Sequence, residues 1–256
     1  MSERRYCLRL AYDGSRFHGW QVQPGLRTVA GELGSAVDRL TREQPRIQAA
    51  GRTDRGAHAH GQLAALTLSR AAWPPAELGA ALNALLPEDM TVLEVGQVPT
   101  DFDPRRQAWR RTYRYLVRDS WERLPLGRER EWWVAASLEL EPMREGTRAL
   151  LGRRDFSSFG ASPWAGGSTV RLVDRATITR EQGLVCLEVR ADAFLRGMMR
   201  NFAGALVALG RGRAELAQLL AALGAPASGA RPWQMAPARG LHQWRVELTP
   251  VRGGAW

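Results

Sequence analysis

The stretch VRLVDRATITREQGLVCLEV, from Val170 to Val189, carries the clearest fold signal in the sequence. Apolar and polar residues alternate in residues 170–179 and again in 184–189, which is typical of β-strands with one buried face. Gln182-Gly183 lies between the two runs, where a tight turn is expected. We therefore predict a hairpin of antiparallel strands.

The rest of the chain mixes strands and helices in both halves. Periodicity predicts strands at 5–12, 47–50, 63–68, 90–95, 107–117, 132–134 and 241–248, and helices at 28–40, 75–85, 141–151, 194–209 and 213–223. Two successive mixed units with hairpins favour the α+β class with antiparallel sheets over a doubly wound parallel sheet. The predicted boundary lies near Asp103–Arg106, which gives an N-terminal domain of residues 1–104 and a C-terminal domain of residues 105–256.

The charge of the chain indicates a polyanionic partner. Its 256 residues carry 36 basic side chains, every one an arginine, against 26 acidic ones, a formal net charge of +10. Arginine binds phosphate through a bidentate fork, so nucleic acid is the favoured partner. A membrane surface is the alternative, but the sequence has no basic amphipathic anchor and no lipidation motif.

Several classes of mechanism are excluded or disfavoured by composition. Without lysine the chain can form neither a Schiff base nor a P-loop of the usual kind. Cys7 and Cys186 stand alone in alternating runs, so we expect buried, reduced thiols rather than a disulfide or a zinc site. The N-terminus has no signal peptide and no segment is apolar for long enough to span a membrane, so the expected compartment is the cytosol.

Residues 51–58, Gly-Arg-Thr-Asp-Arg-Gly-Ala-His, are the strongest candidate for a functional site, and we call them the site loop. Asp54 stands between Arg52 and Arg55, and nearby positive charge favours an ionised, nucleophilic carboxylate. The framing glycines allow the backbone to approach a ligand closely. On spacing alone an aspartate that merely caps a turn remains the commoner interpretation.

The site loop resembles the hallmark G-R-T-D-x-G-V-H of the A-type tRNA pseudouridine synthases, with Ala57 in place of valine. Four other motifs of that family occur in the family's order along the chain. These are Tyr12–Gln21 (YDGSRFHGWQ, here the opening motif), Arg111–Tyr115 (RTYRY), Asp155–Phe159 (DFSSF) and Phe194–Asn201 (FLRGMMRN), the last with Met199 for valine. The resemblance spans nearly the whole chain.

The resemblance implies a role for each matching residue. Asp54 is expected to be the nucleophile, which either adds to the uracil or captures the ribose at C1′. Tyr113 is expected to stack on the base and to help move the C5 proton. Arg200 is expected to pair with the carboxylate. Arg52 is expected to hold the target nucleotide out of its stack. Leu241, which belongs to a late Gly-Leu motif, is expected to form an apolar wall against the base.

Each of these residues also has a structural interpretation. Tyr113 could be a core residue of a strand, and Arg200 a solvated arginine on a helix. Arg55 and His58 are expected to contact substrate, although His58 could simply make a local hydrogen bond. His58 and His60 lack the spacing of a metal site, so no metal is expected. The basic pairs at 105–106 and 110–111 could be phosphate contacts or an ordinary solvated face.

The resemblance further implies the pseudouridine synthase fold, two ferredoxin-like (RRM-like) α/β domains sharing a central antiparallel sheet. It implies a cytoplasmic homodimer that isomerises uridine to pseudouridine at positions 38, 39 and 40, in the anticodon stem-loop of tRNA, without a cofactor. Two other functions remain: a module that binds RNA without altering it, and a metal-dependent nuclease. The acidic residue in the site loop argues against the first, and the lack of a carboxylate and histidine cluster against the second.

Overall fold

The computed structural model describes residues 3–70, 72–162, 164–224 and 231–249. They form two compact units. The first unit contains the described residues up to Trp109 together with those from Gln243 onward, and the second contains Arg110–His242. Strands and helices occur in both. Among the described residues, no helix is long and apolar enough to cross a membrane.

The first unit is a sheet with helices packed on one face. Its elements are β1 (Arg4–Tyr12), α1 (Val29–Thr41), β2 (Gln48–Ala49), β3 (His58–Leu68), α2 (Pro75–Asn83), β4 (Met90–Val98), a one-turn helix α3 (Pro104–Gln107) and most of β10 (Leu241–Leu248). The strands follow the order β4-β1-β3-β10, and β2 also pairs with β3. The pairs β1–β3, β1–β4 and β2–β3 are antiparallel.

Alternation along β1 explains how this sheet is covered. Tyr6, Leu8 and Leu10 enter the core beneath α1 and α2, whereas Cys7 enters a smaller cluster on the opposite face. The N-cap of α1 is Thr28, whose hydroxyl accepts a hydrogen bond from the Gly31 amide at 3.2 Å. The predictions of a strand at 5–12 and of a helix that begins at residue 28 are confirmed to within one residue.

The second unit also has a mainly antiparallel sheet. Its elements are β5 (Ala108–Asp119, from Arg110 onward), β6 (Trp132–Val134), α4 (Leu140–Ala149), β7 (Gly152–Asp155), β8 (Val170–Glu181), β9 (Leu184–Ala191), α5 (Met198–Gly210) and α6 (Leu216–Gly224). The strand order is β5-β9-β8-β7, and β6 pairs with β5 in parallel. The predicted hairpin is β8–β9, whose turn has positive φ at Gln182 (50°) and Gly183 (71°), as a type I′ turn requires.

Two predicted helices begin later than expected. Residues 194–196 are extended, because Arg196 and Ala161 exchange backbone hydrogen bonds of 3.0 and 3.3 Å, and Gly197 then takes a left-handed conformation with φ of 77°. Consequently α5 starts at Met198, and the prediction that this helix begins at residue 194 was wrong. Likewise α6 starts at Leu216, since the Arg213 amide caps the end of α5 through the Ala208 carbonyl at 2.8 Å.

The architecture agrees with the predicted α+β class, because both units combine helices with mostly antiparallel strands. Two short elements, α3 and β7, were missed by the sequence analysis. Both cysteines are free thiols; Cys7 is fully buried, as predicted, but Cys186 is partly exposed.

Candidate functional site

The site loop turns sharply directly after Asp54. The Ala57 amide donates to the Asp54 carbonyl at 3.1 Å, and Gly56 has φ of 78°, the values of a type II turn with glycine at its third position. The Asp54 side chain is half-buried, whereas Arg52 and Arg55 are exposed. The turn therefore presents one carboxylate between two solvent-facing guanidiniums.

Two glycines of the opening motif bring its backbone against the site loop. A Cβ atom added at Gly14 would lie 1.9 Å from the Ala57 carbonyl oxygen, closer than any real contact. At Gly19, where φ is 89°, a Cβ would lie 2.8 Å from the Thr53 carbonyl oxygen. These two positions of the opening motif are thus restricted to glycine by the neighbouring site loop.

Hydrogen bonds then join the same two segments. The Trp20 amide donates to the Thr53 carbonyl at 3.1 Å, and the Gly56 amide donates to the Phe17 carbonyl at 3.2 Å. The buried hydroxyls of Tyr12 and Thr53 share a hydrogen bond of 2.8 Å. Hydrogen bonds to the opening motif therefore hold Thr53, directly before Asp54, and Gly56, two residues after it. We call this set of hydrogen bonds the bracket.

Arg27 stabilises the bracket by contacting the opening motif, and nothing in the sequence analysis pointed to this residue. Its guanidinium lies 4.2 Å from the ring centre of Phe17 and makes two hydrogen bonds of 2.7 Å to Asp89 and one of 2.8 Å to Glu32. The hydrogen bonds to Asp89 are the largest cause of a raised Arg27 pKa. Since the Asp89 carbonyl also accepts the Asp13 amide at 2.9 Å, Arg27 fixes both ends of the turn in the opening motif.

His58 lies inside the first unit and is only 3% exposed. Its Nδ1 atom is 3.1 Å from the Gly14 amide and 3.2 Å from Oδ1 of Asp13. Nδ1 accepts from the Gly14 amide when it carries no proton and donates to Asp13 when it carries one, so only one of these contacts is a hydrogen bond at a time. In the part of the chain that the structure describes, no cluster of His, Cys, Asp or Glu is arranged to hold a metal ion.

The start of the site loop is fixed by a buried glutamine. Gln62, which is fully buried in β3, donates through Nε2 to the Gly51 carbonyl at 2.9 Å, and its Oε1 accepts from Nε2 of Gln243 in β10 at 3.2 Å. Burying two amides costs free energy unless they are paired. The two hydrogen bonds of Gln62 therefore tie the start of the site loop to β3 and β10.

The second unit carries the other predicted site residues. Tyr113 lies in β5, is 8% exposed and packs its ring edge-on against Phe194, with 4.7 Å between ring centres. Leu241, 7% exposed, is the first residue of β10 and follows Gly240. Both side chains are therefore held in largely buried positions.

Arg200 lies in the first turn of α5 and is partly buried rather than freely solvated. Its Nε atom donates to the Ala236 carbonyl at 2.8 Å, and its own carbonyl accepts the Ala236 amide at 3.1 Å. The guanidinium thus has a fixed direction, which the sequence-based alternative of a solvated surface arginine does not explain.

The two predicted basic pairs differ in their surroundings. Arg105 and Arg106 are exposed in α3. In contrast, Arg110 makes an ion pair with Asp174, and Arg111 is 8% exposed and donates to the Asp192 carbonyl at 2.6 Å. Arg111 is therefore a structural residue of β5.

Comparison with known proteins gives a consistent result. A family model described as tRNA pseudouridine synthase matches residues 10–105 and 147–248. A protein of Neisseria gonorrhoeae named tRNA pseudouridine synthase A is 41% identical over 212 residues, covering 82% of this chain and 80% of the relative. Proteins of the same name from Agrobacterium fabrum and Rhizobium meliloti are each 39% identical, over 96% and 95% of this chain and 93% and 99% of their own.

Proposed function

We infer that this chain, which belongs to the tRNA pseudouridine synthase family, isomerises uridine to pseudouridine in the anticodon stem-loop of tRNA, at positions 38, 39 and 40. Asp54 is the proposed catalytic carboxylate. The family membership supports an isomerase acting on tRNA, and the finer assignments are ours.

The reaction is balanced without a redox partner. The bond between N1 and C1′ breaks, the detached uracil turns, and a bond between C5 and C1′ forms; C5 loses a proton and N1 gains one. Asp54 can bond transiently to C1′ as N1 leaves, or add to the base, and in either case its bond breaks again before the product is released.

The observation that carries this proposal is the way in which Asp54 is held. Bonds at Thr53 and Gly56 fix the backbone on both sides of the carboxylate, and the side chain is only half-buried. Such pre-organisation is worth many kcal/mol to a reaction that needs one atom at one place. A turn that served only to reverse the chain would not need this number of buried restraints.

The remaining roles follow the family's motifs. We propose that Tyr113 stacks on the uracil and handles the C5 proton, that Arg200 balances the charge of the carboxylate, and that Leu241 forms an apolar wall for the base. Arg52 and Arg55, exposed on the site loop, are suited to hold the extruded nucleotide and its phosphates. His58, being buried, contributes by fixing the loop to Gly14.

Recognition of three neighbouring target positions favours reading of tRNA shape and backbone charge over base sequence. The formal net charge of +10 supports such a mode. We further propose, as the family resemblance implies, that the enzyme acts as a cytoplasmic homodimer without a cofactor.

The test is chemical mapping of pseudouridine in a tRNA transcript incubated with wild-type protein, Asp54→Asn and the control Asp101→Asn. Asp101 is an exposed aspartate of the same unit, so its variant repeats the change of charge away from the site loop. We expect activity from the wild type and the control, and a loss of at least about a thousand-fold in Asp54→Asn, as for other removed nucleophiles.

Two outcomes would contradict the proposal. If the wild type binds tRNA tightly and in a salt-dependent manner but forms no pseudouridine, the protein is a binding module. If Asp54→Asn keeps full activity while the wild type is active, the isomerase assignment stands and the choice of Asp54 is wrong.

A further inference from the structure

A short segment of the second unit, Trp233–Pro237, lies across the first half of α5, and we call it the strap. Its centre is joined to Arg200 by a reciprocal pair of hydrogen bonds, in which the Ala236 amide donates to the Arg200 carbonyl at 3.1 Å and Nε of Arg200 donates to the Ala236 carbonyl at 2.8 Å. The direction of the guanidinium therefore depends on the position of the strap.

The strap is anchored at both ends. At its start the Trp233 ring stacks on Phe159, with 5.6 Å between ring centres and 16° between planes. At its end the Pro237 carbonyl accepts a hydrogen bond of 2.6 Å from the hydroxyl of Tyr115. Neither Trp233 nor Tyr115 is among the residues to which the family motifs assign a role, although Tyr115 is the last residue of the Arg111–Tyr115 motif.

The strap packs tightly against α5. A Cβ atom added at Gly204 would lie 2.0 Å from the Gln234 carbonyl oxygen. The helix backbone and the strap backbone are thus in direct contact, and a shift of the strap cannot be absorbed by an intervening side chain.

Tyr115 is well suited to act as the terminal anchor. Its side chain is fully buried in β5, and its hydroxyl is protonated at neutral pH and can donate. Burial raises the pKa further, although Arg200 and Arg239 act in the opposite direction. The ring also contacts Gly240, where a Cβ would lie 2.7 Å from it. Tyr115 therefore touches the chain on both sides of the short turn that leads from the strap to Leu241.

We propose that Tyr115 is a positioning residue of the isomerase, which holds the Arg200 guanidinium and Leu241 in place through the strap and does not itself touch the substrate. The inference rests on the proposed function, because it needs Arg200 and Leu241 to serve the reaction. Tyr115 would then lie outside the reacting centre, and loss of its hydroxyl should impair turnover and leave tRNA binding intact.

The test compares Tyr115→Phe with Tyr6→Phe. Tyr6 is a fully buried tyrosine of the first unit whose hydroxyl also bonds to the backbone, with 3.0 Å to the Trp73 carbonyl and 3.0 Å to its amide. The two variants lose the same group from similar surroundings. In steady-state pseudouridylation we expect Tyr115→Phe to lower kcat about ten-fold, since misplacement of a reacting group by a fraction of an ångström is costly. KM should stay within about two-fold, and Tyr6→Phe should keep wild-type kcat.

The separate effects on kcat and KM distinguish a positioning role of Tyr115 from a role in stability alone. Wild-type kcat in Tyr115→Phe, or an equal loss of kcat in both variants, would overturn the inference while leaving the proposed function intact. An inactive wild type would overturn both. If Tyr115→Phe does not fold, Trp233→Phe tests the other anchor: a lowered kcat at unchanged KM supports the strap, and unchanged kcat refutes it.

Discussion

The site loop of the first unit and Arg200 of the second are both rigid, but they are held by different means. Around Asp54 the restraints are mainly contacts between backbones, made possible by Gly14 and Gly19. Around Arg200 the restraint is a separate segment of chain, the strap, fixed at its ends by the side chains of Trp233 and Tyr115. Both arrangements include one backbone contact too close for an added Cβ, at Gly14 and at Gly204, but the ends of the strap rest on side chains, whose loss can loosen it by degrees.

This difference predicts how the two regions respond to mutation. Backbone contact fails abruptly, because carbonyl oxygens cannot move aside without moving the loop. A side-chain anchor loses one hydrogen bond, worth about 1 kcal/mol, and the remaining contacts stay.

The largest effect is expected from Gly14→Ala. The new methyl group would collide with the Ala57 carbonyl, 1.9 Å from the ideal Cβ position, and displace the turn that carries Asp54. Pseudouridine formation should fall at least about a hundred-fold, with a loss of about 1–3 kcal/mol in the free energy of unfolding.

The matched control is Gly224→Ala, where an added Cβ meets no atom of the described residues within 4 Å. Rates of pseudouridine formation and urea unfolding of both variants check the prediction. Near-wild-type activity of Gly14→Ala would show that the site loop adapts, and the contrast between the two regions would then be lost.

A smaller effect is expected at the hydrogen bond between the side-chain hydroxyls of Tyr12 and Thr53. Tyr12→Phe leaves the buried Thr53 hydroxyl without its partner at 2.8 Å, and should cost about 1 kcal/mol of stability and several-fold in kcat. Thr53→Val should behave similarly.

The double variant Tyr12→Phe/Thr53→Val completes a cycle. Since both partners are then apolar, the losses should not add, and the coupling free energy from urea unfolding should be at least about 0.5 kcal/mol. Strict additivity would mean that the hydroxyls do not act as a pair.

The smallest effect on activity is expected from replacing the two cysteines. Cys7 lies in the first unit and Cys186 in the second, so their variants compare how the two units contribute to stability at high pH. Burial raises the pKa of Cys7 from 9.0 to about 12, and that of the partly exposed Cys186 is also raised by burial. Because the unfolded chain releases the Cys7 proton first, stability present below pH 9 should be lost as the pH rises towards 12.

Unfolding in urea as a function of pH checks this expectation with Cys7→Ala and Cys186→Ala. The chain has no lysine, so its four tyrosines are the main other side chains that titrate in this range, and both variants keep all four. Cys7→Ala should flatten the alkaline decline more than Cys186→Ala does, and activity at neutral pH should change in neither. Equal slopes for wild type and Cys7→Ala would contradict the assignment.

Much of the fold follows from local patterns. Alternation located β1 and the β8–β9 hairpin, and Thr28 marked the start of α1. The failures have physical reasons: β7 reads Gly-Arg-Arg-Asp and has no apolar face to detect, and the start of α5 is set by a bridge between Ala161 and Arg196. A contact between residues far apart in sequence does not produce a periodic pattern of apolar residues that could be recognised.

The same distinction applies to the candidate site. The site loop and the opening motif are recognisable because backbone contact restricts Gly14 and Gly19 to one residue type. Arg27, Gln62 and Tyr115 act through partners distant in sequence. Arg27 and Gln62 lie in none of the motifs, and the Arg111–Tyr115 motif does not reveal the partner of Tyr115. Sequence motifs therefore found the proposed reacting groups and missed most of what holds them.

The position of β10 has a consequence for the growing polypeptide. Gln243–Leu248 completes the sheet of the first unit beside β3, yet the ribosome makes these residues only after Arg110–His242. At ordinary rates of translation that delay is on the order of ten seconds. During it the nascent first unit exposes an unfinished strand edge beside the segment that carries Asp54, a stage at which chaperones protect a chain from aggregation.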